Sequence, residues 1–436
     1  MSSRPIVLRA AVAAASLSVL LITAACGGTG TPSTGGSSST ADFSQKGPIE
    51  FWRGKDVTGV VTKLIDEFNA THHPDETVTL HELPDSADAQ RQQIILNSQI
   101  KNDKMAVVRT DVVWTSEFAA NGYLTPLPTD QFSTDGFLKP TVDAATYYGK
   151  LYGVPYTSNG GLLFYRKDLL DKYGLKPPTT WDEMKTACKK IQAGEKDAKL
   201  NCYSGQFDKY EGLTVNFAEA VTSAGGVITD PDGKPNVNTP EAKKGLQLLI
   251  DSFNDGTIPK AAVTWKEEEG RQAFQGGELI FLRTWATVYA LSNKTDGSSK
   301  VAGKFDVAPL PGLTGPGVSS LGGQSLAIGT NAANKGTAAE FIKFMTSKEV
   351  QKKAVLGNAV PPTLESLYTD PDVVKAYPYT PALQTAIQTA VPRPRVVHYG
   401  DVTSAIQDAV YPAIQGQTSP DSTLSDLQSE LETLTK

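Results

Sequence analysis

The sequence predicts an α/β fold built on a mostly parallel sheet, in a chain long enough for more than one domain. Three observations predict it. Between residues 49 and 114, short apolar runs alternate with stretches whose apolar residues recur at helical spacing, the pattern of strand–helix–strand units. Farther along, helices announce themselves by their capping residues. Finally, 436 residues with 39% hydrophobic and 8% aromatic content supply two or three cores of ordinary size.

The elements follow in order. Arg4 and Arg9 precede an apolar stretch over residues 10–25 that ends in Thr23, Ala24 and Ala25, ahead of Cys26, Gly27 and Gly28. A basic start, a short apolar run and small residues before a cut site form a secretory signal. A cysteine at the first mature position makes it a lipoprotein signal, so Cys26 is the expected site of lipidation. The run is shorter than the roughly 20 residues a membrane-spanning helix needs, so residues 1–25 are expected to be removed and the product anchored on the outer face of the membrane. Residues 27–41, GGTGTPSTGGSSSTA, carry no charge and no large apolar side chain and cannot offset their own ordering entropy. Residues 26–47 are read as a lipidated flexible linker with a reach of roughly 20 Å.

The body opens with a strand at Ile49-Glu50-Phe51-Trp52, then a helix over residues 57–68 on Val60, Val61, Leu64, Ile65 and Phe68. A strand at Val78-Thr79-Leu80, a helix over 87–100 and a strand at Asp111-Val112-Val113-Trp114 follow. Thr180 with Glu183 is a capping box, with Trp181 at the first helical position and so structural. Thr239-Pro240 is an N-cap and N1 pair, and Thr346 with Glu349 reads as a second box.

The net charge of -6 argues against nucleic acid, whose phosphates need a basic face. Four histidines and three cysteines give no zinc spacing, so no metal or cofactor is expected. With Cys26 lipidated, Cys188 and Cys202 are left in an oxidising compartment, where pairing is expected.

Residues 147–174, YYGKLYGVPYTSNGGLLFYRKDLLDKYG, resemble the hinge region of extracellular solute-binding proteins of carbohydrate ABC importers. Asp111 through Ala119, Tyr210-Glu211-Gly212-Leu213, Ser223-Ala224-Gly225-Gly226, Glu267 through Trp285, Leu321 through Ile328 and Pro392-Arg393-Pro394-Arg395 are similar to segments of the trehalose- and maltose-binding branch. The resemblance covers nearly all of the body, in the family's order. It implies a two-lobed, periplasmic-binding-protein-like α/β fold with discontinuous lobes and a sugar cleft between them. The lobes would be 48–158 with 305–331 and 159–304 with 332–436, each crossing a hinge. It also implies a monomer that binds an α-glucoside disaccharide, trehalose or maltose-like, and delivers it to permease subunits with a cytoplasmic ATPase.

A sugar presents hydroxyls that both donate and accept, and apolar C–H faces, so its site needs carboxylates, amides, an Arg fork and flat rings. On the resemblance, the candidates are Asp111, Asn159, Glu268 within Glu267-Glu268-Glu269, Trp285, the backbone N–H groups of Gly322 and Gly323, and Arg393 between two prolines. Glu211 and Asp56 are further candidates, with Tyr210 beside Glu211, and Arg91 is weaker; Trp114 is open between stacking and core. The competing reading is an extracellular glycosidase using Asp111 and a Glu of 267–269, which would need the two carboxyls roughly 5 Å or 6.5–9.5 Å apart. The expectation here is a binding protein and no enzyme.

Overall fold

The computed structural model describes residues 41–56, 59–230 and 232–435. The expected signal, Cys26 and most of the linker lie outside the described residues. No helix among the described residues is long and apolar enough to cross a membrane.

β1 (Ile49–Gly54), β2 (Val78–Leu83) and β3 (Met105–Asp111) pair in parallel, linked by helices Val60–Thr71 and Ala87–Gln99. Near-continuous burial marks β1 and β3, as expected of inner strands of a covered parallel sheet, while β2 at the sheet edge is buried only at its two ends. A hairpin, β4 (Thr146–Tyr147) and β5 (Lys150–Leu151), precedes β6 (Val154–Gly160) and β7 (Leu162–Tyr165). Then come β8 (Asn201–Ser204), β9 (Leu279–Thr284), β10 (Asp306–Ala308) and β11 (Leu321–Ile328). Two principal sheets result, in the orders β2-β1-β3-β11-β6 and β10-β7-β9-β8. Each has its own apolar interior: Phe51, Phe68, Val107 and Phe341 for the first, Met184, Phe217, Leu246 and Phe281 for the second. A third cluster takes residues from both, including Phe118, Phe164, Phe274 and Tyr399.

This is the expected two-lobed α/β architecture with discontinuous lobes. The chain passes between sheets at Gly161, between β10 and β11, and again beyond residue 390, where Val391 is tied to Ser319 and Leu321 by backbone hydrogen bonds of 2.9 and 3.1 Å. The expected lobe boundaries need correction at two places. β10 pairs with β7 and belongs to the second sheet. Helices Lys335–Met345 and Lys348–Asn358 pack on the first sheet, with the Phe341 ring 5.3 Å from Phe51 and 5.1 Å from Phe68. Strand pairing and the direction of an apolar face decide membership, and position along the chain does not.

Other differences are local. The strand expected over 111–114 runs instead over Met105–Asp111, so Asp111 ends it and the chain turns into helix Thr115–Ala120. Thr346 closes helix Lys335–Met345, while Ser347 caps the next helix by accepting from the Val350 N–H at 3.3 Å. Thr180 and Glu183 do form the reciprocal box, and Thr239 caps helix Pro240–Asn254. Trp181 is buried against Tyr203. Cys188 and Cys202 are joined as a disulfide with their Cα atoms 5.3 Å apart.

Candidate functional site

The first two residues of β11 are the meeting point. Gly322 pairs with Asn159 of β6, and the six-ring of Trp285, which follows β9, lies directly over it. A Cβ on Gly322 would stand 2.8 Å from that ring and 3.2 Å from the Asn159 Cβ. Gly323 has φ +122°, and a Cβ there would sit 2.4 Å from the Thr157 carbonyl, so only glycine fits. The Asn159 Oδ1 is buried with no hydrogen-bond partner, an acceptor left open on the residue that shares Gly322 with the indole edge.

Trp285 is held from behind. The Arg283 guanidinium carbon lies 4.0 Å from its ring centroid, a cation–π contact out of water. Arg283 is fully buried; its Nε and Nη2 donate to Glu219 at 2.7 and 2.5 Å and its Nη1 to Gln206 at 2.8 Å. Glu219 also accepts from the Ser320 N–H at 3.1 Å, which ties the ring's support to the start of β11.

Arg393 reaches the other side of the same strand end. Only 3% exposed, it donates to Glu211, to Asp111 at 3.1 Å and to the Leu321 carbonyl at 3.4 Å, leaving its Nε without a partner. Asp111 comes from the first sheet, and Glu211 opens helix Glu211–Ser223 of the second lobe. Arg393 thus bridges one carboxylate from each half. Glu211 also accepts from Tyr399 and from Thr403, the latter at 2.7 Å, and its N–H donates to Asp88 at 3.0 Å. Burial raises the Glu211 carboxyl above its ordinary range, against the pull of Arg393. For Arg393 itself, burial works against the charge, yet Tyr399, Asp111 and Glu211 together hold it above the usual guanidinium value.

The remaining candidates separate. Glu268 is exposed and donated to by Arg271 Nε at 3.0 Å. Its neighbour Glu267 is half-buried, takes the Tyr210 hydroxyl at 2.7 Å, and has its carboxyl raised by burial. Glu269 closes back on the Lys266 N–H at 3.0 Å. Asp56 accepts from the Gly59 and Thr62 N–H groups at 3.1 and 3.0 Å, so its carboxylate serves the start of helix Val60–Thr71. Arg91 is paired with Glu117, and Trp114 is core, 3% exposed. Among the described residues no cluster of His, Cys, Asp or Glu is arranged to hold a metal.

Sequence reasoning missed Arg283, Glu219, Asp88 and Tyr399. One signal was available: β9 reads LIFLRT and is buried throughout, and a charge inside such a strand must have a partner.

The sequence profile of the bacterial extracellular solute-binding proteins matches residues 54–352. The chain is 35% identical over 365 residues to a probable ABC transporter-binding protein of Deinococcus radiodurans, covering 81% of this chain and 86% of that one. Maltose-bound MalE3 of T. maritima superimposes with a TM-score of 0.83 at 33% identity, over 89% of this chain and 99% of that one. A solute-binding protein of Agrobacterium radiobacter K84 in complex with ribitol gives 0.79 at 25% identity, over 89% and 99%.

Proposed function

The chain belongs to the bacterial extracellular solute-binding proteins, the binding components of ABC importers, and on that premise we propose that its ligand is an α-glucoside disaccharide, trehalose or maltose-like. One observation carries the reading: the Trp285 ring edge, the open Asn159 acceptor and the Arg393 fork converge on Leu321 and Gly322 from segments of both lobes. A ring beneath a pyranose takes its C–H face, while Arg393, Asp111 and Glu211 offer donors and acceptors to vicinal hydroxyls. Of the acidic run, Glu267 suits this role better than Glu268, since its carboxylate is the one turned inward. The maltose in the T. maritima relative supports the ligand class.

The mechanism is binding and release. Closing two lobes on the sugar exchanges its hydration for fixed partners, and opening at the permease reverses the exchange, driven by a cytoplasmic ATPase. Lipidation at Cys26 would keep the protein at the membrane between cycles. A disaccharide of about 23 heavy atoms at about 0.3 kcal/mol each corresponds to a dissociation constant near 10 μM.

Calorimetry on the full chain with maltose, trehalose, lactose, glucose and a peptide panel tests this. An α-glucoside disaccharide should bind most tightly and be recovered intact. Binding of peptides alone, or release of glucose from maltose, would sink the reading.

A further inference from the structure

Two arginines at the carboxyl edge of the first sheet have no task in the cleft described above. Trp52 of β1 pairs with Val108 of β3 in parallel register, so the residues that follow them, Arg53 and Arg109, stand side by side on one face of the sheet. That edge is where α/β sheets place ligands. Arg53 is 7% exposed, yet its Nε and Nη1 are buried without a hydrogen-bond partner. Its Nη2 reaches only the Lys55 carbonyl, at 3.5 Å, and the Asp56 Oδ1 is 3.7 Å from its Nη1. Asp56 forms that one long ion pair with Arg53 while its oxygens also take the Gly59 and Thr62 N–H groups, and Asp111 takes Arg393 and the Val113 N–H, so neither carboxylate hydrogen-bonds the two guanidinium groups. The buried Tyr156 phenol faces the same two guanidinium groups. Burial, then the charge of Arg53, pull the Arg109 guanidinium down to about 9.

Two like charges side by side, Arg53 out of water with donors unspent and Arg109 partly buried, form a costly arrangement that an acceptor between them would relieve. A sugar hydroxyl would occupy a donor but leave the repulsion. An oxyanion answers both, and fits the guanidinium fork. We propose that Arg53 and Arg109 form an oxyanion site taking phosphate or sulfate, free in solution or as a substituent on a sugar. This site goes beyond the disaccharide reading and stands without it.

Thermal unfolding of the full chain at constant ionic strength tests it, with chloride exchanged for inorganic phosphate, and with glucose 1-phosphate, glucose and maltose as separate arms. Wild type and Arg53→Met are compared. A saturable rise with phosphate that Arg53→Met weakens by about ten- to a hundredfold supports the free anion. A rise with glucose 1-phosphate but with neither phosphate nor glucose, again lost in Arg53→Met, supports the substituent. Flat responses in both anion arms, or equal shifts in both proteins as general exclusion of phosphate from the surface would give, overturn the proposal. So does a wild type stabilised by maltose alone through Arg53, which would give those donors to hydroxyls. If Arg53→Met fails to fold, Arg109→Met reads the same shifts. A missing maltose response in wild type counts against the disaccharide and not against this site.

Discussion

At the scale of single residues, binding and stability pull against each other. Trp285 is only partly buried, with one face on Arg283 and its edge over Gly322. Trp285→Ala should weaken disaccharide binding by about 2 kcal/mol with little change in melting temperature, read by calorimetry. Unchanged affinity would remove the ring from the site. Glu267 behaves differently. Burial raises its carboxyl, so the folded state holds that proton more tightly than the unfolded one does. The sign follows: the native state binds more protons, and the contribution of Glu267 to stability falls as pH rises from the ordinary carboxylate range through the raised value. Glu267→Gln keeps an acceptor for Tyr210 and removes the titration. Its melting temperature should therefore decline less than that of wild type between acid and neutral pH; parallel curves would contradict the shift.

Elements are set by their ends. Helix Trp181–Glu195 starts where Thr180 accepts the Glu183 N–H at 3.2 Å while Glu183 takes the Thr179 and Thr180 N–H groups at 2.7 and 3.2 Å. Thr180→Ala should cost about 1 kcal/mol, seen as a lower denaturant midpoint at unchanged slope. β11 depends on a different device. Its Gly323 combines φ +122° with a carbonyl 2.4 Å from any Cβ. Gly323→Ala should lower stability by more than about 2 kcal/mol and weaken sugar binding as well, since the β11–β6 pairing carries both Asn159 and Gly322. Full stability in that variant would show that the strands relax apart cheaply.

Across the whole molecule, links between distant segments determine how the lobes hold together. Arg393 joins Asp111 to Glu211, and Arg283 with Glu219 backs the strand between them. The Cys188–Cys202 bond closes a loop of 14 residues in the second lobe. Reduction should lower stability by about 3 kcal/mol in the chain-entropy picture while leaving disaccharide affinity nearly intact, because both cysteines belong to the apolar cluster of the second lobe, of which Trp285 is not a member. Equal melting temperatures with and without reductant would put its contribution near zero.

Local pattern alone settled much of this protein. The order of short motifs, through their resemblance to a known family, implied two lobes with Trp285 and Arg393 bordering the cleft between them; periodicity located the first strands and helices, and capping residues marked the helix starts at Trp181 and Pro240. These are short-range signals, carried by residues a few positions apart. What remained depended on partners far apart in sequence. β10 joined the second sheet and helices Lys335–Met345 and Lys348–Asn358 the first because of what they pair with and pack on. Glu267 turned inward and Glu268 outward on one helix turn, Asp56 went to a helix start, and Arg53 was left beside Arg109 with donors unspent. The energy of a buried charge depends on which groups the fold brings to it, and only tertiary packing decides that.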